Sequence, residues 1–460
     1  MPRPKSENGM TRRDFVWQAA CAAVGAVGMA STVWDLRMIN AAVAQTATPP
    51  TDYKALVCLF LYGGNDGNNM IVPTDSSYSV YQAARSNLAL PQDKLLPIQQ
   101  KNGDGRTFGL HPVMPEVQGL FNAGKVAAVC NVGTLLAPIT RAQYFAGGSA
   151  VPPQLFSHSN QQIQWQTSVP DKTVRTGWGG RCADLLHSVY NAQSRLSSMS
   201  ISLGGANTWE VGNSVFPYNV GQWGLQGLSA GGEQLQAIRD LIALYHSGNA
   251  YESHAARVGK SAMDNYNALS AAIDSATLTT QFPDNPAGRQ LYFIAKIIKQ
   301  RALLGQTRQI FFVSAEGYDT HFDQMRVQGV YLSQLSPAMK AFYDATVEMG
   351  VEQNVTAFTA SDFGRTLPMN GGLGSDHGWG GHHLVMGGSV KGGDFYGTYP
   401  TLSVNGPDDT GQGRWIPTIA VDEYSSTLAK WFGVSDSNLR YVFPNLPRFA
   451  RQDIGFMNMS

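Results

Sequence analysis

The sequence has few charged side chains and no run of basic ones. Lys, Arg, Asp and Glu make up 14% of its 460 residues, with 33 basic and 33 acidic side chains. Nucleic acids and anionic lipid surfaces are bound through clustered Lys and Arg. The composition therefore argues against both as partners and favours a small-molecule or glycan substrate.

Cysteine is also scarce, with four residues in the whole chain. Cys21 lies in the N-terminal segment, and Cys58 and Cys130 lie inside apolar runs, where a thiol behaves as a small hydrophobic side chain. We therefore expect disulfide bonds to be absent or single. A hydrophobic content of 43% and 49 glycines indicate a loop-rich globular protein with a large core.

No apolar run is as long as the roughly 20 residues that a membrane span needs. The longest lies at the N-terminus, where the Arg12-Arg13 pair precedes a small-residue apolar segment that Asp35 interrupts. This layout predicts a twin-arginine signal peptide over residues 1–44, cleaved after the A-x-A pattern that ends at Ala44. An uncleaved membrane anchor is the alternative. Residues 1–44 hold five basic and three acidic side chains. The mature chain therefore has 28 basic and 30 acidic side chains, which gives a net charge of −2.

Several short apolar runs are typical of strands buried on both faces of a parallel sheet. The predicted strands are Ala55–Tyr62, Val126–Val132, Met199–Leu203, Gln309–Val313, Val355–Thr359 and Leu384–Met386.

Helical patterns alternate with these runs. The predicted helices are Glu233–His246, Pro286–Leu304, Asp323–Gly350 and Val421–Phe432. This alternation predicts an α/β fold with a doubly wound, mostly parallel sheet and helices on both faces. We expect residues 45–460 to form a single domain with a glycine-rich insertion near 204–232.

Polar side chains follow three of the predicted strands, at the sheet edge where α/β proteins place functional groups. Asp66 follows the first strand, Asp319 and His321 follow Gln309–Val313, and Asp362 and Arg365 follow Val355–Thr359. Carboxylates and imidazoles are metal ligands, and an arginine can bind an anion through two hydrogen bonds.

Four of the nine histidines lie between His321 and His383. Such clustering next to aspartates and glycines favours a metal site, to which His377 and His382 would contribute. Neighbouring side chains on a strand point to opposite faces, so His382 and His383 cannot both be ligands there.

A serine nucleophile is available at Ser157, which follows two prolines at the start of a predicted helix. Unpaired N–H groups at a helix N-terminus can hold a phosphate or sulfate, although Ser157 could also be a simple helix cap. The segment Gly227-Leu228-Ser229-Ala230-Gly231 matches the G-x-S-x-G motif of α/β-hydrolases. That motif needs a buried strand before the serine, and the preceding residues are glycine-rich and half polar, so we do not assign it.

Four motifs resemble a known bacterial family: LFLYGGNDGNNMIVPTD, GYDTHFDQ, SDFGRT and DHGWGGHHLVMGG. The family is domain of unknown function fifteen hundred and one, and the resemblance runs from about Tyr53 to Phe443. The family is grouped with the alkaline-phosphatase-like superfamily of phosphatases, sulfatases and phosphomutases, which implies that fold.

The resemblance also implies roles for individual residues. Asp66 would be the first metal aspartate, Ser157 the nucleophile, and Asp319 with His321 the carboxylate–imidazole pair of one metal ion. Asp362 would serve a second metal ion, and the last histidine ligand would be His377, His382 or His383.

Two departures from the phosphatase pattern leave the metal ion open between zinc, calcium, magnesium and manganese. Asp319 and His321 are two residues apart instead of four, and Phe363 stands where phosphatases have a histidine. No C-x-P-x-R sequence is present, which argues against sulfatase chemistry through formylglycine.

The leading hypothesis is a periplasmic or secreted metal-dependent hydrolase of phosphate or sulfate esters. In this hypothesis Ser157 attacks and Arg365 holds the anion. The alternative is a non-catalytic exported binding or cell-envelope protein that retains the fold and part of the metal site. The expected partners are the twin-arginine translocase during export and a small-molecule or glycan ester, with no stable membrane insertion after cleavage.

Overall fold

The computed structural model describes residues 52–147, 150–221, 225, 232–243 and 250–459. The predicted signal peptide, residues 1–44, lies outside these residues. The G-x-S-x-G segment and part of the predicted glycine-rich insertion also lie outside them.

The strands of the described residues fall in two sheets. They are β1 (Lys54–Leu61), β2 (Ile71–Pro73), β3 (Leu96–Ile98), β4 (Phe108–Leu110), β5 (Val126–Gly133), β6 (Ser200–Ser202), β7 (Tyr218–Asn219), β8 (Arg308–Ala315), β9 (Val355–Ser361), β10 (Gly381–Gly387), β11 (Phe395–Tyr396) and β12 (Ile419–Ala420).

Helices occupy most of the connections between these strands. They are α1 (Gly67–Met70), α2 (Tyr78–Arg85), α3 (Pro115–Asn122), α4 (Arg141–Phe145), α5 (His158–Thr167), α6 (Trp178–Tyr190), α7 (Gly232–Ala243), α8 (Ala250–Ser275), α9 (Pro286–Lys299), α10 (Arg301–Leu304), α11 (Gln324–Glu348), α12 (Val421–Phe432) and α13 (Leu439–Val442).

The main sheet has the strand order β11-β5-β10-β9-β1-β8-β6-β7, and β12 also pairs with β5. Neighbouring strands run parallel except around β10, which is antiparallel to both β5 and β9. The predicted α/β class with a mostly parallel sheet is therefore confirmed. A separate antiparallel sheet, β2-β4-β3, was not predicted because its strands have only three residues each.

Helices pack on both faces of the main sheet because successive side chains of its strands point in opposite directions. Leu59 of β1 lies in a core with Ile294 of α9 and Leu335 of α11. The next residue, Phe60, points to the other face and lines a small cavity with Trp178 of α6. The continuous apolar run of β1 is thus explained by burial on both sides.

The register of the central strands brings three loops to one edge of the sheet. Leu61 of β1 pairs with Ala315 of β8 on one side and with Ser361 of β9 on the other. The residues that follow these three strands therefore leave the sheet side by side. Functional groups gather at this edge in open α/β sheets.

The predicted strands agree with β1, β5, β6, β8, β9 and β10 to within a few residues. The expectation that the segment Leu384–Met386 forms a parallel strand is wrong, since it belongs to the antiparallel strand β10. The cysteines of the described residues, Cys58, Cys130 and Cys182, are buried and not disulfide-bonded. Among the described residues, no helix is both long and apolar enough to cross a membrane.

Candidate metal centre

Two glycines allow the loops at the sheet edge to pack backbone against backbone. Gly63 has a φ of 115°, and a Cβ atom there would lie 2.2 Å from the backbone nitrogen of Asp319. At Gly374, a Cβ atom would lie 2.3 Å from the carbonyl carbon of His321. Only glycine permits such close approach, because any other residue would place its Cβ atom against the neighbouring backbone. These two positions therefore allow the loops after β1, β8 and β9 to lie against one another.

Three histidine rings converge on the carboxylate of Asp319. Its Oδ1 lies 3.1 Å from Nε2 of His321 and 3.4 Å from Nε2 of His377. Its Oδ2 lies 3.5 Å from Nε2 of His158. The ligand atoms of His158, Asp319 and His377 all lie within 4.8 Å of one another, a group that could hold a metal ion. We call His158, Asp319, His321 and His377 the candidate metal centre.

The other ring nitrogens of His321 and His377 are held by hydrogen-bond acceptors. Nδ1 of His377 donates to the carbonyl oxygen of Phe156 at 2.7 Å, and Nδ1 of His321 donates to the carboxylate of Asp376 at 3.1 Å. In a neutral imidazole, the nitrogen that carries no hydrogen presents a lone pair. The two Nε2 atoms, 2.8 Å apart, therefore present lone pairs to each other. This arrangement is favourable only with a proton or a cation between them.

His158 is oriented in the same way by Asp362. Nδ1 of His158 donates to Oδ2 of Asp362 at 2.7 Å, which turns Nε2 of the ring toward Asp319. The fully buried carboxylate of Asp362 also accepts hydrogen bonds from Gln162 at 2.8 Å and from the backbone of Gly63 at 3.2 Å. Asp362 thus supports the candidate metal centre by fixing the orientation of the His158 ring.

This set of side chains fits a divalent transition-metal ion. Imidazole nitrogens and a carboxylate are common ligands of such ions. Metal-binding histidines usually donate their second N–H group to a carboxylate or a carbonyl oxygen, which fixes the ring and its tautomer. All three histidines of the candidate metal centre have such an acceptor.

The electrostatic surroundings favour the charge states that metal binding requires at Asp319 and His377, but not at His158. Burial lowers the pKa of His377, which favours the neutral ring. Burial opposes ionisation of Asp319, but the hydrogen bond and charge of Arg365 prevail and hold the pKa of that carboxyl below its ordinary value. The hydrogen bond to Asp362 raises the pKa of His158, although burial opposes this, so a metal ion competes with a proton for this ring.

Arg365 is committed to contacts within the protein and is not free to bind an anion. Its guanidinium is fully buried and donates to Asp319 Oδ1 and to the Gly63 carbonyl, both at 2.9 Å. It also donates to the side chain and the backbone carbonyl of Ser375. The geometry therefore does not fit the expected role of anion clamp, and Arg365 instead holds Asp319 in place.

Asp66 has other partners and does not belong to the candidate metal centre. The buried carboxylate of Asp66 pairs with Arg85, accepts from Gln324 and caps α1 through the Asn68 backbone at 3.0 Å. We therefore do not include Asp66 among the metal ligands, since a guanidinium already neutralises it.

Both histidines of β10 are buried and have partners outside the candidate metal centre. His382 accepts a hydrogen bond from the backbone of Asn131 at 3.1 Å and stacks on Tyr399. His383 packs against Trp165. Burial lowers the pKa of both rings to about 3, so they are neutral parts of the core. His377, which precedes the strand, is the histidine of this motif that joins the centre.

Ser157 stands directly before α5, next to His158 in the chain. Its hydroxyl makes no hydrogen bond to the backbone of the helix and so does not act as a cap. It accepts from the side chain of Asn160 at 3.0 Å and lies 3.4 Å from the hydroxyl of Ser159. Among the described residues, no contact joins it to the side chains of the candidate metal centre.

The sequence prediction missed His158. His158 adjoins the predicted nucleophile, but it lies about 160 residues before the other members and follows no strand. A signal was nevertheless present, because His158 stands in the same polar segment that singled out Ser157. Asp376 directly precedes His377, and only the folded loop brings it to His321 instead.

Comparison with known families identifies the family of this chain. The family described as "Protein of unknown function (DUF1501)" matches residues 53–412. No curated protein matches the chain.

Several solved structures are distantly similar. One is the C-terminal periplasmic domain of EcEptC from Escherichia coli, with 9% identity, a TM-score of 0.36, and coverage of 88% of this chain and 90% of that one. Another is the soluble domain of lipooligosaccharide phosphoethanolamine transferase A from Neisseria meningitidis, with 8% identity, a TM-score of 0.33, and coverage of 85% and 95%. A third is the PsFucS1 sulfatase from Pseudoalteromonas sp., with 11% identity, a TM-score of 0.32, and coverage of 87% and 72%. Similarity at this level carries no information about the reaction.

Proposed function

Because the chain belongs to the family of proteins of unknown function designated DUF1501, whose description names no activity, we propose a function from the candidate metal centre. The proposed function is metal-dependent hydrolysis of phosphate or sulfate esters. The observation that carries it is the convergence of three histidine Nε2 atoms on the carboxylate of Asp319 while every Nδ1 atom is held by an acceptor.

The ligand chemistry favours zinc or manganese among the divalent ions that the sequence left open. Calcium and magnesium prefer oxygen ligands, whereas imidazole suits zinc and other transition metals. His158, Asp319, His321 and His377 would hold the ion. When bound, such an ion polarises an ester oxygen and stabilises the negative charge that develops during hydrolysis.

The chain's own residues would keep this centre ordered and accessible. The Asp319 side chain is 45% exposed, so a substrate can reach the centre from solvent. Arg365 fixes one oxygen of that carboxylate from the buried side. Asp362 keeps a hydrogen on Nδ1 of His158, so Nε2 is the nitrogen of that ring that is available to the centre.

We keep Ser157 as the candidate nucleophile. Its hydroxyl does not cap α5, and Ser157 directly precedes His158 in the chain. Both observations support a role in the reaction. In the proposed reaction, the Ser157 oxygen forms a bond to the phosphorus or sulfur atom, the alcohol leaves with a proton, and water then releases the inorganic anion. Replacing Ser157 by alanine should lower kcat by roughly three orders of magnitude or more, with Ser159→Ala as the matched control.

Metal analysis of the purified mature protein tests the proposal. We expect bound zinc or manganese, and hydrolysis of aryl phosphates or aryl sulfates that a chelator abolishes. His377→Ala should lose both the metal ion and the activity. A protein without metal ion that hydrolyses neither ester when zinc, manganese or calcium is added would instead favour the non-catalytic binding or cell-envelope protein.

We further propose export by the twin-arginine pathway to the periplasm or the outside of the cell. The Arg12-Arg13 pair and the apolar segment that follows support this route. The pathway passes folded proteins, so the metal ion could be loaded in the cytoplasm, where the cell controls which cation is available. Replacing both arginines by lysine should leave the precursor in the cytoplasm, and unchanged export would refute this route.

A further inference from the structure

A chain of hydrogen bonds connects the candidate metal centre to a buried ion pair. Arg365 donates to Asp319 at 2.9 Å and, through Nε, to the hydroxyl of Ser375 at 3.2 Å. The hydroxyl of Ser375 donates to the side-chain oxygen of Gln324, and the side-chain nitrogen of Gln324 donates to Asp66. Gln324, at the start of α11, is therefore the link between the two ends.

The orientation of the Gln324 amide is fixed by these partners. Its oxygen accepts from Ser375 and also from the hydroxyl of Thr320, at 3.1 Å. Its nitrogen donates to a carboxylate, which cannot donate in return. Thr320 stands between Asp319 and His321 in the chain, so Gln324 holds the loop of the candidate metal centre at a second point. The side chain is fully buried, so water does not compete for these bonds.

The far end of the chain of hydrogen bonds is rigid because Asp66 pairs with Arg85. Both side chains are fully buried. Arg85 also donates to the carbonyl oxygens of Thr366 and Leu367, at 3.2 and 3.0 Å, immediately after Arg365 in the sequence. A buried ion pair with satisfied hydrogen bonds is held firmly, because separating its charges in the interior is costly.

We infer that Gln324 is a positioning residue for the candidate metal centre, connecting Asp319 and Thr320 to the buried Asp66–Arg85 pair and thereby setting the affinity for the cation. The inference rests on the proposed function. Without the amide, the hydroxyls of Ser375 and Thr320 lose a buried acceptor and Asp66 loses a donor. The Ser375 hydroxyl then no longer has a fixed position under Nε of Arg365, and Arg365 holds Asp319 less firmly. Asp66, predicted as a metal ligand, would in this way act on the metal through Gln324.

The substitution Gln324→Met tests the inference, because methionine keeps the length of the side chain and removes its hydrogen bonds. Gln328→Met is the matched control. Gln328 lies one helical turn further along α11, is equally buried, and donates to the backbone oxygen of Asp66 at 2.8 Å, not to Ser375 or Thr320. Zinc affinity would be measured by isothermal titration calorimetry on the metal-free mature protein, together with the Tm of each variant.

We expect Gln324→Met to weaken zinc binding by about tenfold or more, as loss of outer partners of a metal site does. Gln328→Met should bind zinc as the unchanged protein does, even where its Tm falls by the same amount. Equal weakening in both variants, or unchanged affinity in Gln324→Met, would overturn the inference.

A second variant covers the case in which Gln324→Met does not fold. Ser375→Ala removes only the hydroxyl between Arg365 and Gln324 and should also weaken zinc binding, whereas unchanged affinity would again overturn the inference. If the unchanged protein binds none of zinc, manganese and calcium, the proposed function fails and this inference fails with it. If the unchanged protein binds zinc and the variants bind it equally well, only this inference fails.

Discussion

The substitution Asp362→Asn should weaken metal binding without removing any ligand. The Asp362 carboxylate accepts hydrogen bonds from His158 at 2.7 Å, Gln162 at 2.8 Å and the Gly63 backbone at 3.2 Å. An asparagine has one acceptor oxygen and one donor nitrogen. If its oxygen faces Gly63, its nitrogen opposes the donors of His158 and Gln162. If the amide turns over, its nitrogen opposes the Gly63 N–H group.

The first orientation changes the tautomer of His158. The ring avoids the clash between two donors by moving its hydrogen from Nδ1 to Nε2, and Nε2 is then no longer a metal ligand. The substitution also removes the main cause of the raised pKa of His158. Changes of this kind in other metal sites weaken binding by about 10- to 100-fold. This corresponds to about 1.4–2.7 kcal/mol of binding free energy.

Two measurements test this prediction. Calorimetric titration with zinc at pH 7.5 gives the affinity, and long-range nitrogen–proton NMR on histidine-labelled metal-free protein reports the tautomer of His158. Asp184→Asn is a matched control, because Asp184 of α6 is also buried and accepts from the backbone of Asn213, Ser214 and Val215 instead of from a histidine. If Asp362→Asn binds zinc within about threefold of the unchanged protein, and His158 keeps its hydrogen on Nδ1, the assignment of Asp362 is refuted.

Three further predictions concern the metal ligands, the buried ion pair and one buried acid. In a calorimetric titration, His377→Ala should weaken zinc binding by more than about tenfold, whereas His382→Ala should not. Equal effects of the two substitutions would contradict the assignment of His377 as a metal ligand. Asp66→Asn should lower the free energy of unfolding by about 3–5 kcal/mol in urea, because it leaves the buried Arg85 unpaired; a change below about 1 kcal/mol would show that the pair is dispensable. Burial raises the pKa of Glu210 from 4.5 to about 8, so the folded state keeps a proton that the unfolded state loses. The free energy of unfolding should therefore fall as the pH rises from 4.5 to about 8, by at most about 1.4 kcal/mol per pH unit. Glu210→Gln should remove this fall. Parallel curves of unfolding free energy against pH for the two proteins would contradict the prediction.

The fold could be predicted where side chains are buried on both faces of a strand. The continuous apolar run of β1 has only one explanation, a central position with helices on each side, and the structure agrees. The direction of β10 could not be predicted in this way, because an apolar run does not report whether the strand is parallel or antiparallel. The short strands β2, β3 and β4 are too brief for a periodic signal.

The candidate site could be predicted in part for a related reason. Asp319, Asp362 and Arg365 follow strands, and the rule that loops after parallel strands share an edge brings them together. His158 reaches the centre from a helix start, where no such rule applies. A polar residue at a strand end also does not reveal its partner. Asp66 obeys the rule but is neutralised by Arg85, an arginine that the sequence does not distinguish from a surface one.

The hydrogen positions at the candidate metal centre lead to a prediction about protons. With Nδ1 of His321 and of His377 donating to acceptors, the two Nε2 atoms at 2.8 Å repel each other unless something positive lies between them. We predict that a proton shared by the two rings takes this role in the metal-free protein, so a binding cation must displace it. Zinc uptake at pH 6.5 should therefore release protons, measured as a dependence of the binding enthalpy on the ionisation enthalpy of the buffer. His321→Gln removes one of the opposed nitrogens and should reduce the number released. Binding enthalpies that do not depend on the buffer would mean that one of the two rings has the opposite tautomer, with its hydrogen on Nε2. In that case the candidate metal centre would lose that nitrogen as a ligand.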